Sequence, residues 1–255
     1  MAVSIDLNCD LGESFGVYEL GNDTAVLKEI TSANVACGYH AGDHNVMAKT
    51  VERSVANGVA LGAHPGFLDL MGFGRRAMQV EPPEIYHLII YQINALLGFC
   101  QLYHTSMQHV KPHGALYQMA ATDEHVADAI AKAVYDTNPQ LILFGLAGSE
   151  LVKAGKRLGL NVAQEVFADR TYQPDGTLTP RSEPNAMIHQ PEAAVQQVKQ
   201  MMTKETCTAV DGTVISLKAD TICVHGDNPQ SLDFTRQLKN VLKAEGVSLK
   251  SFSPV

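Results

Sequence analysis

Six apolar runs of this chain each end on an ionisable residue: Asp10 after VSIDLNC, His40 after SANVACGY, His64 after VALGA, His113 after HVKP, Asp169 after VAQEVFA and His225 after TICV. Carboxylates and imidazoles are the groups that exchange protons near neutral pH, activate water and ligate divalent metals. Other polar side chains stand close to them. Asn8 and Glu13 flank Asp10, Asn34 precedes His40, Lys111 precedes His113, Tyr117 follows it, and Arg170 follows Asp169. An ammonium at the inner end of an apolar stretch is costly unless paired, so Lys111 is expected to meet a carboxylate or an anionic ligand. Glu165 can face the interior as a structural ion-pair partner.

Each residue also has a plainer reading. Asp10 and Asn8 could cap backbone groups in a turn, and a single histidine is more often packed than ligating. The recurrence of His40, His64, His113 and His225 in the same relation to their apolar runs favours a shared site. Cys37 and His40 have the spacing of half a zinc site, with no second pair to complete it. His40 and His44 are four apart, but Gly42 and Asp43 lie between them, so a helical pair of ligands is not assured. Arg75 and Arg76 follow a glycine-rich GFG and suit either a carboxylate or phosphate clamp or a solvated surface pair. Tyr172 and Arg181 could help Arg170 hold an acidic substrate. No G-x-x-x-x-G-K-[ST] loop occurs, since Gly155-Lys156 is followed by Arg157 and preceded by Glu150 where the first glycine belongs. G-x-S-x-G is absent too, which argues against an α/β-hydrolase triad.

The elements that must position these groups alternate short β-branched runs with longer helical patterns, the mark of repeated βα units around a parallel sheet. Strands are expected at Val3 to Cys9, Ser32 to Cys37, Val59 to Ala63, Gln108 to Lys111, Leu141 to Gly145, Val162 to Phe167 and Thr221 to Val224, with an eighth at Val247 to Phe252. Helices are expected to start at Asp43, Pro82-Pro83, Asp123, Ser149, Pro191 and Pro229, and Gly58, Gly159 and Gly246 to end three of them. Parallel strands in a closed or open sheet all end on one face, which would bring the six residues to one pocket. Two long connections, Pro65 to Glu81 and Asp169 to Gln190, would overhang that face. A β-hairpin with a two-residue Asp211-Gly212 turn is expected within 207–218, as an insertion in a single barrel domain spanning 1–255.

With 255 residues, 45% hydrophobic and 18% charged, the chain has the composition of an ordinary globular domain. Its formal charge of −8 argues against a phosphate-backbone partner, so no nucleic acid is expected. The apolar stretch Ile85 to Cys100 carries Tyr86, His87, Tyr91, Gln92 and Asn94 and reads as a buried helix rather than a membrane span. The start, MAVSIDLNCD, lacks a basic n-region, so neither a secretory signal nor a transit peptide is expected and the mature chain is expected to begin there. Five cysteines without C-x-x-C suit reduced thiols and a cytoplasmic location.

The motifs DLNCDLGE, SANVACGYHAGD, GAHPGF, VKPHGALY, EVFADRTY and VHGD together resemble those of the LamB/YcsF family, over nearly the whole chain. The resemblance implies an irregular (β/α) barrel of the glycoside hydrolase/deacetylase type, and the alternation of elements along the chain counts seven or eight βα units. The resemblance also implies ATP-dependent opening of 5-oxo-L-proline to L-glutamate, in complex with 5-oxoprolinase subunits B and C. On that reading Asp10, His40, His64, Lys111 and His113 are catalytic, and Asn8, Glu13, Asn34, Tyr117, Asp169, Arg170 and His225 bind substrate. A divalent metal, if required, would fall to Asp10, His40 and His64. Two alternatives stand beside it: a divalent-metal hydrolase or deacetylase of N-acyl or carbohydrate substrates, and a non-catalytic subunit that holds a small acid for a partner.

Overall fold

A computed structural model describes residues 4–224 and 229–254. The chain runs β1 (Ser4–Leu11), α1 (Asp23–Val26), β2 (Ser32–Ala36), α2 (His44–Ala56), β3 (Ala60–His64), α3 (Pro82–Leu102), β4 (Met107–Val110), α4 (Gly114–Thr122), α5 (Glu124–Thr137), β5 (Ile142–Leu146), α6 (Glu150–Arg157), β6 (Asn161–Phe167), α7 (Pro191–Lys204), β7 (Thr206–Thr208), β8 (Val214–Ser216), β9 (Thr221–Val224), α8 (Pro229–Ala244) and β10 (Ser248–Leu249). Strands β1 to β6 and then β9 pair in parallel, and β9 returns to β1, which closes a ring of seven strands. The eighth expected strand shrinks to Ser248–Leu249, paired only with Ser4 and Ile5. The next residues of β1, Asp6 to Cys9, are already paired with β9, so no open edge remains for it to join.

Helices cover the ring because the outward strand positions are apolar; Leu7, Cys9 and Leu11 of β1 are buried beneath them. The inward positions are unusual. Asp6, Asn8 and Asp10 alternate along β1 and meet Ser32 and Asn34 of β2 and Thr221 of β9 through side-chain hydrogen bonds. On the side of β1, β2 and β9 the barrel interior is therefore a hydrogen-bonded polar column rather than the stacked branched apolar side chains usual in such rings, while Phe144 of β5 stacks on His109 of β4 with centroids 4.2 Å apart.

The helix starts obey local chemistry. Asp43 Oδ1 accepts from Asn45 N at 2.8 Å and Val46 N at 3.0 Å, and Asp123 Oδ1 does the same for His125 N at 2.9 Å and Val126 N at 3.2 Å. Gly58, Gly159 and Gly246 take φ of +66°, +78° and +78° just past three helix ends, as left-handed caps require. Helix α4, which the sequence pattern did not suggest, starts immediately after His113. The hairpin joins Thr206–Thr208 to Val214–Ser216, with a loop longer than two residues. Gly212 N donates to Ala209 O and Ala209 N to Thr213 O, so Val210 to Gly212 make a three-residue loop with Gly212 at φ +89°. Helix α3 is long and apolar enough to cross a bilayer, yet it buries Ile85, Ile89, Gln92, Ile93, Leu96 and Cys100 against the barrel.

Candidate active site

The carboxyl-terminal ends of the strands open into a cavity of about 650 Å³ lined by Asp10, Glu13, His64, Lys111, His113 and Tyr117. The two long connections overhang it as expected: Phe73 and Arg75 come from one, Arg170 and Arg181 from the other. Asp10 and His64 are supplied by the ends of β1 and β3, whereas His40 and His113 follow β2 and β4 by a few residues.

Lys111 is the electrostatic centre. Its Nζ lies 3.0 Å from Asp10 Oδ1 and 2.8 Å from Glu165 Oε1, and donates to Asn8 Oδ1 at 3.2 Å and toward Cys223 Sγ at 3.2 Å. Glu165 Oε2 accepts in turn from the Tyr117 hydroxyl at 2.6 Å. Burial alone would lower the Lys111 pKa, but Asp10, Cys223 and Glu165 around it outweigh burial and push it well above the usual lysine range. An ammonium has three protons, and Asn8, Asp10 and Cys223 take them, so Lys111 holds Asp10 in place at the floor of the cavity it lines. Asn34 Nδ2 donates to Asp10 Oδ1 at 2.9 Å and to Asn8 Oδ1 at 2.8 Å. Asp10 Oδ2 faces His64 Nε2 at 3.3 Å. Burial works against the Asp10 carboxylate, but His64 and Lys111 hold its pKa well below the ordinary range, so it stays anionic.

Three imidazoles pack beside it. His40 and His113 stack with centroids 3.7 Å apart and planes 4° from parallel, and His64 stands edge-on to both. Burial, reinforced by His64 against His40 and by His40 against His113, holds the pKa of both stacked rings well below the histidine norm. Glu13 Oε1 lies 3.8 Å from His40 Nε2 and 4.0 Å from His113 Nδ1. One donor atom from each of Glu13, His40, His64 and His113 lies within 4.8 Å of the others, a donor set that suits a divalent transition metal. The expected trio of Asp10, His40 and His64 is thus not the set that converges; Asp10 turns Oδ1 to Lys111 and Asn34.

The remaining expected residues divide. Tyr117 lines the cavity and Asn8 and Asn34 lie in the polar column beneath it. Arg170 reaches the cavity wall but donates Nη2 to Thr179 O and Nε to Ala186 O, fastening its own loop. Asp169 is buried beside that loop, with its backbone carbonyl accepting from Ile188 N. His225 lies outside the described residues. Cys37 donates toward Val35 O, and burial pushes its thiol up to about 12; it is no part of the cluster. Arg75 lines the cavity, while the exposed Arg76 pairs with the buried Asp69. Two groups went unseen in the sequence. His109 lies within the column, Nε2 donating to Asn34 Oδ1 at 2.7 Å, and Gln92 clamps Gly66 through both its N–H and its C=O at 2.9 Å. The alternation of polar residues at 109 and 111 along β4 is the signal that could have found His109.

The model of the LamB/YcsF family matches residues 5–255. The chain belongs to that family. A LamB/YcsF relative from Halalkalibacterium halodurans, named as the A-type component of 5-oxoprolinase, is 62% identical over 249 residues, covering 98% of this chain and 97% of its own. The lactam utilization protein from Thermus thermophilus superposes with a TM-score of 0.93 at 40% identity, over 98% of this chain and all of that one. A family 4 carbohydrate esterase from Streptomyces lividans shares the fold at a TM-score of 0.50 and 14% identity, over 99% of this chain and 94% of its own. This likeness is one of fold alone and says nothing about the chemistry of the LamB/YcsF barrel.

Proposed function

We propose that this chain is the A-type component of an ATP-dependent 5-oxoprolinase, opening 5-oxo-L-proline to L-glutamate together with B and C subunits in the cytoplasm. The observation that carries the reading is the anionic Asp10, fixed by Lys111 and aimed into the cavity. Support comes from relatives named as this 5-oxoprolinase component and from the solved lactam utilization protein.

An unstrained lactam resists water because its nitrogen lone pair is delocalised into the carbonyl. Transfer of the γ-phosphoryl group of ATP to the lactam oxygen, with ADP leaving, ends that protection. Water then adds to the ring carbon, its proton passing to Asp10 Oδ2. The C–N bond breaks as the nitrogen takes up a proton, and a second water converts the resulting acyl phosphate to glutamate and phosphate. A carboxylate with a depressed pKa is a weak base, and an electrophile activated in this way asks for no stronger one. Arg75 and Arg181 on the cavity wall supply the cations that suit the substrate carboxylate and the phosphoryl group. The chain carries no P-loop motif, so ATP must be held by other means or by a partner.

Asp10→Asn in the assembly reconstituted with B and C subunits should lower release of glutamate and phosphate by about 100-fold or more, the range typical of a lost general base. Near-normal turnover in a folded variant removes Asp10 from the chemistry. A second reading, hydrolysis of N-acyl or carbohydrate substrates with a divalent ion, draws on Glu13, His40, His64 and His113. Such an ion would supply Lewis acidity at the cavity wall. ATP-independent release of acetate from N-acetylated sugars, with no turnover of 5-oxoproline, would favour it.

A further inference from the structure

Two backbone carbonyls determine where the protons sit on the clustered imidazoles. His64 Nδ1 is 2.7 Å from Lys111 O, and His113 Nε2 is 2.8 Å from Phe73 O. A carbonyl oxygen can only accept, so each of these nitrogens is the N–H of its ring. When the two rings are neutral, the opposite nitrogens, His64 Nε2 and His113 Nδ1, carry the lone pairs, and they face each other at 3.0 Å. Carboxylate oxygens close around them, Asp10 Oδ2 at 3.3 Å from His64 Nε2 and Glu13 Oε1 at 4.0 Å from His113 Nδ1. His40 is fully buried and neither of its ring nitrogens has a hydrogen-bond partner. Electron pairs gathered this densely in a buried place repel one another until a cation lies between them. The N–H to carbonyl bonds of His64 and His113 are also the outer contacts that hold a ligating imidazole in its tautomer and orientation.

We propose that Glu13 Oε1, His40 Nε2, His64 Nε2 and His113 Nδ1 bind one divalent transition-metal ion of the zinc class. Three imidazoles and one carboxylate favour such an ion over calcium or magnesium, which take oxygen ligands. Close packing preserves the arrangement. A Cβ on Gly74 would lie 2.7 Å from His40 Cβ and 2.8 Å from His113 Cδ2, and one on Gly66 would lie 2.8 Å from His40 Nδ1. The proposal stands independently of the lactam reading, because binding is measured without turnover.

The full chain, dialysed against a chelator, is titrated with Zn²⁺ in competition with an indicator dye and with Co²⁺ followed by its visible d–d absorption. One equivalent is expected to bind. Outer partners of ligands are worth about 10–100-fold in affinity, so His113→Gln, His40→Ala and Glu13→Gln should each weaken binding by about 100-fold or more. His44→Ala, which alters an exposed histidine outside the cluster, should leave it unchanged. Circular dichroism checks that each variant folds, and any one folded ligand variant suffices for the comparison. Absence of binding would mean that a proton shared by His64, His113 and Asp10 takes the place of the ion, and would overturn the proposal. Binding that survives the ligand substitutions, or falls equally in His44→Ala, would overturn it as well.

Discussion

Replacing Lys111 by methionine keeps the length of the side chain and deletes the cation that holds two buried carboxylates together. Its Nζ touches Asp10 at 3.0 Å and Glu165 at 2.8 Å, with the lysine and Glu165 side chains 3% and 0% exposed and Asp10 19% exposed. Coulomb's law with an effective dielectric of about 20 gives roughly 5–6 kcal/mol of gross attraction for each contact. The net cost of deletion is smaller, because the lysine no longer has to be desolvated. Breaking a buried pair in this way costs about 3–5 kcal/mol, and Lys111→Met should lower the unfolding free energy by that amount. Adding Glu165→Gln removes the opposite charge and leaves an amide oxygen to accept from the Tyr117 hydroxyl. The pair should therefore recover about 2 kcal/mol of the loss, a coupling within the range for charged neighbours. Urea denaturation followed by circular dichroism measures all four corners of the cycle, with turnover assayed in parallel. Stability returns in the double variant on this argument and activity does not, since Asp10 has lost its anchor. A Lys111→Met variant within about 1 kcal/mol of the parent, or a strictly additive cycle, would refute the claim that Lys111 balances the interior.

Other substitutions probe separate parts of the site. Gly74→Ala combines a φ of +63° with contacts inside van der Waals distance of His40 and His113, so it should cost at least about 1–2 kcal/mol and depress turnover; melting and steady-state rates test both. His109 is held neutral, its pKa lowered to about 3 by burial and then by Lys111. The unfolded chain takes up that proton near pH 6.5, so the unfolded state binds more protons between about 6.5 and 3 and stability falls as pH falls, by about 1.4 kcal/mol per unit for this group. His109→Gln should remove one proton's worth of that slope in urea titrations at stepped pH, and an unchanged slope would show that His109 is protonated in the folded state. Arg75→Ala should raise KM for 5-oxoproline with little change in melting temperature. Arg76→Ala should show the reverse pattern, because Arg76 serves the buried Asp69 rather than the cavity.

Period and punctuation carry local information, and the local part of this fold was legible. Helix-capping aspartates and terminal glycines act within a few residues of their own position, and Asp43, Asp123, Gly58 and Gly159 behave as their types require. Ring closure depends instead on which edge β9 meets, a contact between residues more than two hundred apart that no local pattern encodes. The count of seven strands was therefore settled only in three dimensions. The same division runs through the site. Asp10, His64, Lys111 and His113 were visible because each ends an apolar run, yet nothing in the run says whom the side chain will touch. Lys111 shows the difference most sharply: its position demanded an anionic partner, and only the closed barrel reveals that there are two, Asp10 and Glu165. Polar alternation along β1 and β4 was present in the sequence at Asp6, Asn8, Asp10, His109 and Lys111. A half-buried surface strand would produce that pattern too, and what separates the cases is that the apolar partners, Leu7, Cys9 and Val110, are themselves buried. A strand buried on both faces with charge on one of them must neutralise that charge across the ring. The polar column is thus a consequence of closure, and the depressed pKa of Asp10 at its top follows from the same constraint.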